Sequence, residues 1–206
     1  SLAKGHINLN IKTYVLNLDR RPDRWKTFSD KSEPKCLDYH RFSAIDGSRL
    51  LPNKQLQRIF EGNDYNMREG LVGCAMSHLQ MWIELAKSNY DAFCILEDDI
   101  DFVPDFRDKF IHVYNNLPKN WALCYLGHHF WKKFKSPEYF DKKAMPALEK
   151  WDTQKSLQYS MGGTGGYLIS KKGAIDLLEF INKTGMLNGI DTMQQKSADT
   201  VDVYYC

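Results

Sequence analysis

The chain contains 206 residues, of which 28 are Lys or Arg and 26 are Asp or Glu, so its formal net charge is +2. This near balance argues against a general nucleic-acid-binding protein, which usually carries a strong basic excess. The length suits one domain with a sizeable core, and no Pro-, Gly- or Ser-rich linker divides the sequence. No apolar stretch reaches the length of a membrane span, and no signal peptide is visible.

The cysteines give a first indication of compartment. Five are present and none lies in a Cys-x-x-Cys pair, which argues against a zinc site or a thioredoxin-like centre. Cys94 and Cys124 lie inside apolar, strand-like runs and are predicted to be buried free thiols. The odd number favours a reducing, cytoplasmic compartment, with the ER lumen as the alternative if a signal peptide was removed. Because residues 201–206 are β-rich, we expect that a C-terminal segment was trimmed.

The first predicted strand covers residues 11–18, which are rich in β-branched and apolar side chains. It leads directly into residues 19–24, which contain three arginines and Pro22, a residue suited to the first turn of a helix. Guanidinium groups match phosphate oxygens with paired hydrogen bonds, so this turn is a candidate diphosphate site. A solvated basic turn is the alternative, and the local sequence favours it.

A second short strand is predicted over residues 39–45, ahead of Asp46 and a glycine. A carboxylate at this place can bind a ribose, although Asp-Gly is also a common turn signal. Helices are predicted over residues 54–60 and 72–86, the second from apolar residues at helical spacing. Its glycine-rich start allows close approach to a backbone or a ligand. His78 in this helix is predicted to be a hydrogen-bonded structural residue rather than a catalyst.

The most informative stretch is residues 93–101, where an apolar run of strand length ends in Glu97, Asp98 and Asp99. Such a run predicts a buried strand, and ligands of open α/β sheets bind beyond the carboxyl ends of strands. Adjacent carboxylates repel one another unless a cation or a hydrogen-bonded ligand lies between them. Carboxylate oxygens suit Mg²⁺ or Mn²⁺. A solvated acidic turn is the alternative, and the run alone does not separate the two.

A helix over residues 104–115 and a strand over residues 121–126 follow. His128 comes directly after that strand and is a candidate to face the ligand crevice, with a surface loop as the alternative. Residues 132–158 show no clear periodicity and are interpreted as a long excursion that serves as a lid or acceptor loop.

The last third of the sequence again alternates strand and helix signals. Glycines at residues 162–166 precede a strand and allow a backbone to approach a ligand closely. An amphipathic helix is predicted over residues 171–181, and Asp191 stands shortly after it. A final strand is predicted over residues 200–206.

Five stretches in this order resemble glycosyltransferase family 25, namely residues 14–25, 42–47, 73–79, 95–100 and 162–170. The block Gly-Cys-Ala-Met-Ser-His-Leu ahead of Leu-Glu-Asp-Asp is the most specific of them. The family contains lipooligosaccharide galactosyltransferases of bacteria and collagen galactosyltransferases of eukaryotes. The resemblance implies a single GT-A-like α/β domain over residues 1–206, with a Rossmann-like mixed sheet flanked by helices.

The same resemblance implies a metal-dependent, inverting hexosyltransferase. It would move galactose or glucose from a UDP-sugar to a hydroxyl group of a glycan or of a hydroxylysine-type acceptor. The cofactor would be Mn²⁺ or Mg²⁺, held by an acidic motif of the Asp-x-Asp type. The expected partners are the UDP-sugar and the acceptor, without nucleic acid and without a transmembrane segment, while peripheral contact with a membrane stays open.

The resemblance also implies roles for individual residues. Asp99 is expected to be the principal metal ligand and Glu97 the second, directly or through water, with Asp98 oriented to the ribose or the metal shell. Asp191 is the expected catalytic base, with capping of a helix near Thr192 as the alternative and His128 in reserve. The expected nucleotide pocket comprises Asn17, Leu18, Arg20 and Arg24, then Ala44 and Asp46 beside uridine, and Gly73 and Ser77 near the donor.

Two other functions fit the same residues. One is a non-catalytic nucleotide- or glycan-binding domain that keeps this fold. The other is a metal-dependent nucleotidyltransferase or phosphotransferase that uses the same carboxylates.

Overall fold

The computed structural model describes residues 5–63, 68–127, 129–130, 144–151, 161–162 and 165–206. Strands and helices alternate along its first half, as in an α/β fold. The strands are β1 (Ile11–Asn17), β2 (His40–Ser43), β3 (Ala92–Glu97), β4 (Trp121–Tyr125), β5 (His129–Phe130), β6 (Glu149–Lys150), β7 (Met161–Gly162), β8 (Gly166–Ser170) and β9 (Asp202–Tyr205). The helices are α1 (Pro22–Ser29), α2 (Lys54–Ile59), α3 (Glu69–Lys87), α4 (Phe106–Asn116), α5 (Lys171–Thr184) and α6 (Ile190–Lys196).

Seven strands form one mixed sheet in the order β2-β1-β3-β8-β4-β9-β6, and β5 pairs with β7 separately. β1 is parallel to β2 and β3, β8 is antiparallel to both β3 and β4, and β9 is parallel to β4. Consequently β2, β1, β3, β4 and β9 all run in the same direction. Their carboxyl ends, together with the first residues of β8, meet at one edge of the sheet. We call it the carboxyl edge.

Helices cover both faces of the sheet. On one face, called the α3 face, the core joins residues of α2, α3, α5 and α6 to the strands. On the other, called the α1 face, α1 and α4 contribute Phe28 and Phe110 to a separate core. In β3 the side chains of Phe93 and Ile95 belong to the first core and those of Cys94 and Leu96 to the second. Because both faces are covered, β3 is apolar throughout rather than alternating with polar residues.

The start of α3 packs against the turn that follows β2. A Cβ atom on Gly73 would lie 2.5 Å from the Ile45 carbonyl oxygen and 2.6 Å from the Gly47 nitrogen. A Cβ atom on Gly47 would in turn overlap the Glu69 carbonyl group. Glycine is therefore required on both sides of this contact, which fixes the height of the turn above the sheet.

The predicted α/β class and mixed sheet flanked by helices are confirmed. The predicted bounds of the helices and longer strands agree to within a few residues, and Cys94 and Cys124 are buried and free as expected. Part of the predicted excursion over residues 132–158 belongs to the sheet, because β6 pairs with β9 and the Trp151 N–H donates to Val203. Most of the remainder of that segment lies outside the described residues.

Candidate functional site

Asn17, the last residue of β1, ties three strand ends together at the carboxyl edge. Its side chain is almost fully buried and donates from Nδ2 to Asp98 Oδ2 over 2.7 Å and to the Arg21 carbonyl over 3.0 Å. Its Oδ1 accepts from Arg41 Nε on β2. One amide therefore holds Asp98 in place and fixes the start of the arginine-rich turn.

Arg24 on α1 compensates the charge of two neighbouring carboxylates. Its Nε lies 3.4 Å from Asp98 Oδ1, and its NH2 group donates to Asp99 Oδ2. Asp98 is 8% exposed at its side chain and Asp99 is 50% exposed. Since one guanidinium faces both acids, their mutual repulsion is offset, and Asp99 stays accessible to a ligand from solvent.

Glu97 belongs to the other face. It shares the α3 face with Cys74 and His78, and one ligand atom from each of the three lies within 4.8 Å of the others. His78 Nδ1 lies 2.6 Å from Tyr167 Oη, to which Trp82 Nε1 also donates. Burial lowers the pKa of His78 to about 3, so its ring is neutral near pH 7. The hydrogen-bonded, buried setting predicted for His78 is therefore present.

A cavity of about 450 Å³ opens beside the end of β3. Glu97 and Asp99 both line it, as do Gly165 and Gly166 at the start of β8. Its remaining wall is largely apolar and comes from the α4 region, including Phe102, Phe106, Phe110 and Val113. Three acidic residues, Glu97, Asp99 and Asp101, thus line a cavity whose other walls are largely apolar.

A second cavity, of about 240 Å³, lies at the ends of β1 and β2, where Arg20, Ala44 and Asp46 line it. Arg20 Nε donates to Asp46 Oδ2 over 3.1 Å. Hydrogen bonding from Ser48, followed by the influence of Arg20, lowers the pKa of Asp46. Of the residues expected at the nucleotide, Arg20, Ala44 and Asp46 therefore share one space, whereas Asn17 and Arg24 contact Asp98 beside the acidic run.

Gly73 and Ser77 support this space from behind. Ser77 is fully buried, its Oγ donates to the Gly73 carbonyl, and the Ile45 N–H donates to that Oγ. The pair therefore positions the turn that carries Ala44 and Asp46. Leu18 is half-buried, and its carbonyl accepts from the Arg21 N–H at the β1–α1 turn.

Asp191 lies in the first turn of α6, whose N-cap is Gly189. Its Oδ1 accepts from the Thr192 N–H over 2.9 Å, but it lies inside the helix rather than at its N-cap. The N-cap role that was the alternative to catalysis therefore does not belong to Asp191. Tyr125, the last residue of β4, donates to Gln194 Oε1 on α6, so this helix lies near the carboxyl end of β4. Burial, and next the negative charge of Asp191, raise the pKa of Tyr125. His128 lies outside the described residues.

Sequence inspection missed Arg41, Asp19 and Tyr167. Arg41 donates to Asp19 over 2.6 Å and Ser43 donates to the same carboxylate, which lowers the pKa of Asp19. Arg41 could have been identified as a candidate site residue, because a charged side chain inside a short strand is unusual. Tyr167 follows the glycine-rich run directly, and that position near the carboxyl edge was its signal.

The fold and the carboxyl edge define a GT-A-like α/β domain. A sequence profile of glycosyltransferase family 25, described as LPS biosynthesis protein, matches residues 10–193. The chain therefore belongs to glycosyltransferase family 25.

Individual relatives agree with this assignment. The chain is 30% identical over 185 residues to a glycosyltransferase 25 family member of Drosophila melanogaster, a match that covers 85% of the chain and 28% of the relative. It is 28% identical over 177 residues to procollagen galactosyltransferase 2 of Homo sapiens, which covers 80% of the chain and 27% of the relative. The chain thus spans little more than a quarter of the length of these relatives. Among the described residues, no helix combines the length and apolarity that crossing a bilayer requires.

Proposed function

We propose that this chain is the donor-binding and catalytic domain of a hexosyltransferase that uses UDP-galactose or UDP-glucose. Family membership and the printed name of the human relative support this activity. The observation that carries the proposal is the meeting of Arg20, Arg24 and the acidic run at one edge of the sheet. A nucleoside diphosphate needs both kinds of group, cations for its phosphates and acceptors for its base and ribose.

The uridine would occupy the smaller cavity, between Ala44 and Asp46. Asp46 would accept a hydrogen bond there, and its partner Arg20 would be free to turn towards the diphosphate because its side chain is 59% exposed. Asn17 and Leu18 would form the floor between this cavity and the acidic run. Gly73 and Ser77 would keep the turn at its present height.

Glu97 and Asp99 would hold a divalent cation such as Mn²⁺. Both line the larger cavity, and both offer the oxygen ligands that such ions prefer. The bound ion would supply charge neutralisation for the leaving diphosphate. Arg24 holds Asp99 and Asp98 together in the structure, and diphosphate oxygens competing for its guanidinium would release the Asp99 carboxylate for the ion. Asp98 would remain fixed by Asn17 and orient the ribose.

The acceptor is proposed to be a hydroxyl group of a glycan or of a hydroxylysine-type residue. Asp191 would remove its proton as the oxygen attacks the sugar, since inverting transfer requires a base across the sugar from the metal. Support for this role comes from its helix, which packs on the α3 face and is hydrogen-bonded to Tyr125 through Gln194. His128 stays the second choice.

The proposal is tested by incubating the protein with UDP-galactose or UDP-glucose and Mn²⁺ without acceptor. We expect slow release of UDP, tighter binding of UDP than of ADP or GDP, and loss of both with a chelator. Binding without turnover, even with varied acceptors, would instead indicate a non-catalytic domain. Release of sugar 1-phosphate would indicate a nucleotidyltransferase.

A further inference from the structure

A second group of side chains with the chemistry of metal ligands lies on the α3 face of the sheet. Cys74 and His78 are four residues apart on α3 and therefore share one side of the helix. Glu97 approaches them from the end of β3, and one ligand atom from each residue lies within 4.8 Å of the other two. Arg24, which compensates Asp98 and Asp99, contacts the acids of the opposite face.

His78 provides an independent indication that a ligand is bound here. The residue is fully buried, and its Nδ1 is paired with Tyr167 Oη. Among the described residues, its Nε2 has no hydrogen-bond partner. Buried polar nitrogens are nearly always paired, and an unpaired one calls for an explanation such as a bound ion. Nε2 is the ring nitrogen that stays available for one.

The surroundings of the ring resemble those of a metal-bound histidine. Such histidines usually bond through their second nitrogen to an outer partner that fixes the orientation of the ring. Tyr167 Oη is in that position, and Trp82 Nε1 holds Tyr167 in turn over 2.9 Å. The ring is therefore oriented by groups that do not themselves bind the ion.

We propose that Cys74, His78 and Glu97 bind Zn²⁺ with a fourth coordination position left open. One thiolate, one imidazole and one carboxylate make a three-ligand set of the kind found in open zinc sites. The thiolate selects zinc over Mg²⁺ and Mn²⁺, which prefer oxygen ligands. Tetrahedral zinc bonds of 2.0–2.3 Å separate ligand atoms by roughly 3.3–3.8 Å, so small side-chain rotations close the present spacing.

The site has a consequence for the proposed transferase. Glu97 cannot serve the zinc site and the Mn²⁺ site at once, so zinc competes with Mn²⁺ for this carboxylate. This consequence rests on the proposed function, whereas zinc binding by the three residues does not. We expect micromolar zinc to inhibit Mn²⁺-dependent UDP release from the wild-type protein and to inhibit it less in Cys74→Ser.

Binding is tested directly with Co²⁺ as a spectroscopic probe on reduced, metal-free protein. We expect one equivalent to bind with a thiolate-to-cobalt charge-transfer band in the near ultraviolet, which added Zn²⁺ removes. Cys74→Ser should abolish the band, while Cys36→Ser, which removes another half-buried thiol, should retain it. Tyr167→Phe should retain the band and weaken binding by about 10–100-fold, the usual effect of losing an outer partner.

Further variants separate this test from folding and from the transferase proposal. Circular dichroism checks whether Cys74→Ser is folded. Glu97→Gln, which removes the carboxylate ligand and keeps the thiol, should also weaken cobalt binding. Asp99→Asn should keep the band, because Asp99 belongs to the other proposed site. A wild-type protein without the band, or a band that persists in folded Cys74→Ser, would overturn the zinc site.

Discussion

Three consecutive acids at the end of β3 have different surroundings on the two faces of the sheet. On the α1 face, Asp98 and its neighbour Asp99 are paired with Arg24, and Asn17 adds a hydrogen bond to Asp98. On the α3 face, Glu97 lies beside a thiol and a neutral imidazole. On the α1 face, the positive charge of Arg24 offsets the negative charges of the two aspartates. On the α3 face, the three side chains form a compact set of potential metal ligands. Adjacent acids in a sequence can therefore have different partners when a strand sends them to opposite faces, even though Glu97 and Asp99 both line the cavity beside the end of β3.

The largest expected effect concerns catalysis on the α3 face. Replacing Asp191 with Asn removes the proposed base but keeps a similar shape, so transfer should fall by roughly 10²–10⁴-fold. UDP-sugar affinity should stay nearly constant, because the variant leaves the proposed nucleotide and metal residues intact. Initial rates and calorimetric titration measure the two quantities.

Asp199→Asn is the matched control, since this acid lies in the next turn of the chain and is exposed. Its transfer rate should equal that of the wild type. If Asp191→Asn also transferred at the wild-type rate, Asp191 would not be the catalytic base.

Donor binding should depend on the arginine of the α1 face. Arg24→Ala removes a cation next to the proposed diphosphate and leaves Asp98 and Asp99 repelling each other. We expect UDP affinity to fall by about 10–100-fold, the size of one or two lost charged hydrogen bonds. Arg107→Ala, on α4 and bonded to the Gly5 carbonyl, is the control that should bind UDP normally. If the two variants bound UDP with equal affinity, Arg24 would not contribute to donor binding.

The stability of the carboxyl edge should depend on Asn17. Asn17→Ala leaves Asp98 and the Arg21 carbonyl without the amide that joins them. Because Asp98 is nearly buried, we expect the free energy of unfolding to drop by about 1–3 kcal/mol. Urea denaturation measures this. The control is Ser29→Ala, which removes a hydroxyl that donates to the Lys26 carbonyl within its own helix, and it should change stability by less than about 0.5 kcal/mol. A drop no larger than that of the control would mean that Asn17 does not stabilise the edge.

The smallest expected effect is the titration of Asp46. Its folded pKa is lowered from 3.8, mainly by Ser48, so its interactions stabilise the fold above pH 3.8 and are lost as the pH falls through the folded value. Ser48→Ala should therefore move the carboxyl midpoint, followed by NMR, upwards towards 3.8. A midpoint that Ser48→Ala leaves in place would assign the shift to Arg20 instead.

Much of the fold could be predicted because its signals are local. The apolar run before Glu97 is fully buried and forms β3. The carboxyl ends of the parallel strands β1 and β2 meet at one edge of the sheet, and this brings Arg20 and Asp46 to one cavity. β6 could not be predicted, because a two-residue edge strand is too short to show alternation.

The site was harder to predict than the fold, because its contacts are not local. The pairing of Arg24 with two acids depends on how α1 lies across the sheet. The absence of a Cys-x-x-Cys motif argued against a zinc site, yet Cys74, His78 and Glu97 come together only when α3 packs on β3. The alternation of side chains along β3 could have been used to predict that Glu97 and Asp98 point to opposite faces of the sheet.

The central claim is that the acidic run binds the donor through a divalent cation, and one titration tests it most directly. UDP is titrated into wild-type protein and into Asp99→Asn, each with and without Mn²⁺. The account predicts that Mn²⁺ strengthens UDP binding by the wild type and has no effect on a folded Asp99→Asn variant. Equal strengthening by Mn²⁺ in both proteins would contradict it.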